Sequence, residues 1–213
     1  MSFWTQAQDF IVKKIFRHNC GEVLDYYNQH IIKFALAPTP EGKTMLVGDS
    51  ITEGWTNPPR GIMPLDVINY GIAGDTSTGV RKRIEQIITA KPAKVILNIG
   101  VNDLNSDQAG SLAVNYPIIL STIQNALPDC KVYCCSMRYM NVKLNPDFQE
   151  RNNRVTTFNR ILEGHALTKG MTWVDVNVAV APEGFLKLEY TEDGIHLNQD
   201  GYFAEWEILK TLV

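Results

Sequence analysis

At 213 residues, 45% hydrophobic and 20% charged, the chain has the size and apolar content of a single globular domain with a sizeable core. A net charge of −3 with no long basic run argues against a nucleic-acid or anionic-membrane surface, and no stretch of about 18 apolar residues offers a membrane span. Cys20, Cys130, Cys134 and Cys135 form no C-x-x-C pair and no metal spacing with histidine, so they read as reduced thiols in a cytoplasmic protein without a metal site.

Phe3, Ala7, Phe10, Ile11 and Ile15 recur at helical spacing, and the segment lacks the apolar run and cleavage site of a signal peptide. A second helix is predicted from Glu22 to Phe34, before Pro38 and Pro40 break the chain. Residues 1–42 therefore read as a helical addition packed on the rest of one 1–213 domain.

From Lys43 onward short apolar runs alternate with amphipathic segments. Thr44–Val47 reads as the first strand, Trp55–Pro64 as a proline-rich loop, and Val67–Tyr70 as the second strand. Val80, Ile84, Ile87 and Ile88 mark one face of a helix, with Arg81, Lys82, Arg83 and Glu85 on the solvent side. Lys94–Ile99 is the third strand. Leu112, Tyr116, Ile119, Ile123 and Leu127 stripe the next helix, whose start Pro117 leaves open. Val132–Ser136 is the fourth strand, with Cys134 and Cys135 pointing to opposite faces. Val155, Phe158, Ile161, Leu162 and Ala166 define a helix, Thr172–Val176 a fifth strand, and Tyr202, Trp206, Leu209 and Val213 a closing helix. Such alternation is the signature of an α/β fold whose parallel sheet is covered on both faces.

Ser50 sits where the first strand gives way to a helix, the end of a parallel strand at which ligands gather. Two readings compete there. Ser50-x-x-Glu53 has the spacing of a capping box, in which serine merely closes the helix. Alternatively Ser50 is a nucleophile, which needs a base within hydrogen-bond reach and donors for a developing oxyanion. His196 supplies an imidazole, a group titrating at about 6.5 in general. Asp193, three residues earlier, supplies an orienting carboxylate. The Ser50 and Gly74 N–H groups and the Asn102 side-chain amide supply three donors. Gly74 leaves its N–H unobstructed for want of a Cβ. Asp49 and Asp103 are expected to hold loops through backbone hydrogen bonds.

Gly48-Asp49-Ser50-Ile51-Thr52, Asn69-x-Gly71-x-x-Gly74, Gly100-x-Asn102-Asp103 and Asp193-x-x-His196 together resemble the blocks of the SGNH (GDSL-type) hydrolases, in the family's order. Ile51 replaces the leucine of the name motif, and Val101 stands where many members carry threonine. The resemblance implies a flavodoxin-like three-layer α/β/α sandwich with strand order 2-1-3-4-5. It implies Ser50 as nucleophile, His196 as general base and Asp193 as its orienting partner. Gly74 and Asn102 would complete the oxyanion hole with Ser50, with no metal or organic cofactor. The substrate is expected to be a small ester, such as a short-chain acyl ester of a carbohydrate, with lysophospholipids and thioesters as alternatives. Trp55, Arg138, Tyr139 and Met140 are positioned in sequence to line its pocket. A rival of another class is a flavodoxin-like module binding FMN or another phosphate, cradled by Ser50 and Thr52 at a helix N-terminus.

Overall fold

The computed structural model describes residues 22–37, 41–56, 64, 66–105 and 109–213. The chain falls into two compact units, residues 1–39 and 40–213. In the first, helix α1 spans Glu22–Leu36, over the segment where the spacing predicts it. The helix predicted through Phe3 and Ile15 lies outside the described residues, as do most of the Trp55–Pro64 loop, Cys20 and His18.

The second unit is built on strands β1 (Thr44–Gly48), β2 (Val67–Gly71), β3 (Lys94–Asn98), β4 (Lys131–Cys135) and β5 (Thr172–Val174). All pair in parallel, in the order β2-β1-β3-β4-β5, with Gly48 level with Gly71 on one side and Asn98 on the other. The order reverses at β1, so the crevice at its carboxyl end opens beside Ser50. A parallel sheet carries helices on both faces, and every residue of β1 is accordingly buried. Because side chains alternate, Leu46, Ile96, Cys135 and Val174 join Ile51, Trp55, Tyr202, Trp206 and Leu209 in one apolar cluster. Met45, Val47, Val95, Leu97 and Cys134, on the opposite face, are all fully buried.

The helices of this unit are α2 (Ser50–Glu53), α3 (Ser77–Lys82), α4 (Ile84–Ala90), α5 (Val101–Asn105), α6 (Ala109–Ala126), α7 (Phe148–Thr168), α8 (Asn177–Val180) and α9 (Gln199–Leu209). Helix α6 packs against α3, α4 and α7, and α7 against β4 and β5. The closing helix α9 packs on α8 and on the 3-10 turn Leu188–Tyr190.

Four local departures from the sequence pattern have physical causes. The helix expected through Val80 and Ile88 breaks at Arg83 (φ −102°, ψ 15°). Arg83 turns inward rather than to solvent: its Nε donates to Asp75 at 2.9 Å and its Nη2 to the Gly48 carbonyl at 3.3 Å. Pro117 lies inside α6, which starts at Ala109 and tolerates the proline at the expense of one intrahelical hydrogen bond. Strand β5 ends at Val174, because Asp175 turns its carboxylate to the Ser136 hydroxyl and the Asn177 N–H. On α7 the buried row runs through Phe148, Asn152, Val155, Leu162 and Ala166, leaving Ile161 exposed.

Candidate active site

Asp49, not Ser50, is the N-cap of α2: its Oδ1 accepts the Ile51 N–H at 3.0 Å. That releases the serine. Ser50 Oγ lies 2.9 Å from His196 Nε2, across 146 residues of sequence. Glu53 does not complete a capping box either; its Oε2 accepts the Ala73 N–H at 2.5 Å. The two residues of the bland reading are therefore both engaged elsewhere.

The imidazole is held from its other side. His196 Nδ1 lies 2.6 Å from Asp193 Oδ2, while Asp193 Oδ1 accepts the N–H groups of Ile195 and His196, each at 2.8 Å. Partial burial raises the Asp193 carboxyl, but the hydrogen bonds from the His196 ring and these two N–H groups outweigh it and bring it down to about 2. An ionised carboxylate can only accept, so Nδ1 carries the proton, and in the neutral ring Nε2 faces the serine hydroxyl as an acceptor. The loop around Gly194 is closed by its N–H on Thr191 Oγ1 and by pairing of Thr191 with Leu197.

The expected oxyanion donors stand on loops that are stitched to one another. Asn69 donates to the carbonyls of Thr52 and Glu53 and accepts from the Gly71 N–H, tying α2 to the loop after β2. Gly71 is required there by close approach: an added Cβ would sit 2.2 Å from the Glu53 nitrogen. Asn102 Nδ2 donates to the Asp75 carbonyl at 2.9 Å, which fixes the orientation of its carboxamide. Asp103 is fully buried and takes both the Ser77 N–H and the Ser77 hydroxyl. Asp49 and Asp103 thus hold loops by backbone hydrogen bonds, as expected. Gly74, exposed between these anchors, has φ +75°, while a Cβ there would meet nothing within 4 Å. Its glycine is needed for the backbone conformation, not for clearance.

The pocket expectation is corrected. Trp55, Arg138 and Met140 are 2–4% exposed and present no face to a substrate. Trp55 packs its ring against Tyr202 and Trp206, with centroids 4.9 and 5.9 Å away. Arg138 makes a two-armed ion pair with Glu205 of α9. Met140 is packed with Val101 and Phe148. Tyr139, half-buried, has its hydroxyl on Thr156 of α7. The open cleft beside the histidine, of about 450 Å³, is lined instead by Glu192, Asp193, His196, Leu197, Asn198, Gln199 and Tyr202. Sequence reasoning missed Tyr202, whose hydroxyl donates to the Ile51 carbonyl at 2.8 Å and moors α9 to the Ser50 turn. It also missed the Asp75–Arg83 pair, whose partners lie in different elements, and the Arg138–Glu205 pair, whose partners are 67 residues apart; no local signal marks either.

A family model described as the GDSL-like Lipase/Acylhydrolase family matches residues 46–204. The chain belongs to this family. Among solved structures, this GDSL-like acylhydrolase is similar to a GDSL-like lipase from Bacteroides thetaiotaomicron, at 23% identity over 87% of this chain and 96% of that one, with a TM-score of 0.75. It is also similar to the acetyl xylan esterase AlAXEase, at 21% identity over 80% and 100% of the two chains, with a TM-score of 0.67. An acetyl-xylooligosaccharide esterase variant from Geobacillus Stearmophilus follows at 16% identity over 82% and 95%, with a TM-score of 0.64. No curated protein matches the sequence. The α/β fold of the GDSL-like enzymes, with its sheet order 2-1-3-4-5, is the one seen here. Among the described residues no helix is long and apolar enough to cross a membrane.

Proposed function

We propose that this acylhydrolase is a serine esterase acting on short-chain carboxylic esters of a small polar alcohol, such as an acetylated carbohydrate, through an acyl-enzyme on Ser50. The observation that carries the reading is the chain of contacts Ser50 Oγ–His196 Nε2 at 2.9 Å and His196 Nδ1–Asp193 Oδ2 at 2.6 Å. As Oγ attacks the ester carbonyl carbon, its proton passes to Nε2, and Asp193 holds the resulting imidazolium. The N–H groups of Ser50 and Gly74 and the Asn102 amide receive the carbonyl oxygen as it becomes negative. Collapse breaks the bond to the alcohol, which leaves with the proton from Nε2. Water then repeats the sequence on the acyl group, with His196 taking its proton. No metal or cofactor enters these steps.

A polar alcohol finds Glu192, Asn198 and Gln199 in the open cleft beside His196, and two of the structural neighbours bear the names of acetyl-carbohydrate esterases. The phosphate-binding alternative loses its physical basis, because the helix end it would use is already capped by the buried Asp49 carboxylate. A cytoplasmic site of action is consistent with the free thiols of Cys130, Cys134 and Cys135. The test is labelling with a fluorophosphonate, mapped by mass spectrometry, followed by esters of increasing acyl length and a lysophospholipid and thioester for comparison. Label on Ser50, loss of p-nitrophenyl acetate turnover in Ser50→Ala and a preference for acetyl esters are expected. Labelling elsewhere, or full turnover without the Ser50 hydroxyl, refutes the reading.

A further inference from the structure

Asp49 is more than its capping task requires. A cap needs one acceptor oxygen and no charge, and asparagine serves there as well as aspartate. Asp49 uses Oδ1 for the cap, whereas Oδ2 is sealed from solvent with no hydrogen-bond partner among the described residues. A charge placed there is costly unless something answers it. A second buried charge, Arg138, follows β4, and its field favours the Asp49 anion. Arg138 grips both oxygens of Glu205 with Nε and Nη2, and its Nη1 is likewise buried without a partner.

The charged and titratable groups whose fields reach Asp49 come from several elements. Arg138 follows β4, Asp75 follows β2, His196 is on the C-terminal loop, and the Tyr202 hydroxyl is on α9. Burial is the largest influence on the Asp49 carboxyl and raises it; Arg138 and His196 favour the anion, and Asp75 opposes it. Arg138 and Glu205 cancel one another in charge. Together with Asp49 they leave a single negative charge beside the Ser50 turn. Resting on the esterase reading above, we propose that Asp49 is a positioning residue of the reaction: its buried carboxylate, steadied by the Arg138–Glu205 pair, supports the imidazolium that His196 becomes as Ser50 gives up its proton.

Proton transfer from hydroxyl to imidazole creates a cation, and a fixed anion in a water-poor site lowers its cost more than one facing solvent. The Asp193 side chain is 52% exposed, whereas Asp49 is 1% exposed. Water is therefore kept from the Asp49 end of the attraction, while the His196 ring, 49% exposed, is screened at its own end and lies further off.

The experiment uses the full chain and p-nitrophenyl acetate. Loss of turnover in Ser50→Ala checks the esterase reading by itself. Asp49→Asn then removes the charge and keeps the cap. Its kcat is expected to fall about tenfold with KM within twofold, in a protein that melts no lower than the wild type. An unchanged kcat reduces Asp49 to a cap and overturns the proposal; so does a kcat loss accompanied by a lower melting temperature. Replacing the pair together, as Arg138→Met with Glu205→Leu, should move the acid limb of the kcat profile to higher pH, and should not move it when Asp49→Asn is also present. Equal movement in both backgrounds overturns the proposal. Should the pair variant not fold, the Asp49→Asn result alone decides.

Discussion

Replacing Asp49 by Asn is expected to stabilise the protein at neutral pH while slowing it. Burial pushes the Asp49 carboxyl from its ordinary 3.8 up to about 6, even though the Ile51 N–H and the charges of Arg138 and His196 pull the other way. At about 1.4 kcal/mol per pH unit, that interval makes the folded state about 3 kcal/mol less stable with the anion than with the neutral acid. The folded value lies above the unfolded one. The stability tied to the protonated group is therefore fully present below about pH 4 and is lost as pH rises through about 6. Asparagine copies the neutral acid in shape and retains the cap at every pH. Wild type and Asp49→Asn should therefore melt together at pH 4 and diverge above it. By pH 8 the variant should lead by about 6–12 °C, taking roughly 2–4 °C per kcal/mol for a domain of this size. Differential scanning fluorimetry at pH 4, 5, 6, 7 and 8 reads this directly. A variant that melts at or below wild type at pH 8 refutes the reasoning, for it would mean that the surroundings of Asp49 favour its anion outright. A wild type that gives up this much stability for a buried charge points to selection for activity over stability at this position.

Asn102→Ala should lower kcat by about 10²–10³, or about 3–4 kcal/mol of transition-state stabilisation, in steady-state hydrolysis of p-nitrophenyl acetate; a kcat within threefold of wild type would remove Asn102 from the oxyanion hole. Asp193→Asn should cost about 10²–10⁴ in kcat, because the amide can present its nitrogen to the ring and no longer dictates which imidazole nitrogen holds the proton. The wild-type carboxyl, held at about 2, remains ionised down to about pH 3, so any loss of activity between pH 7 and 4 should originate elsewhere. Trp55→Ala should lower stability by about 3–5 kcal/mol in urea titration, through loss of its packing with Tyr202 and Trp206. In the fraction that remains folded KM should not change; a raised KM with full stability would return Trp55 to the substrate pocket.

The amino-acid sequence by itself determined the layered architecture and nominated the groups proposed to react. Short apolar runs alternating with amphipathic ones admit few arrangements other than a parallel sheet, and in such a sheet the loops after the strands converge at one end. Ser50 and His196 are separated by 146 residues, yet one follows a strand and the other precedes the last helix, so their meeting was legible before any coordinate. Tertiary structure alone decided which polar groups go inside. Local periodicity records the direction in which a side chain leaves its own element; it carries no information about a partner arriving from another. Arg83 reads as a solvent residue until Asp75 and the Gly48 carbonyl draw it in, and Arg138 reads as a pocket residue until Glu205, 67 residues later, claims it. Glu53 has the spacing of a cap, yet the Ala73 N–H, 20 residues on, takes its carboxylate. In each case a charge-assisted bond formed across the fold outweighs the preference of the local chain.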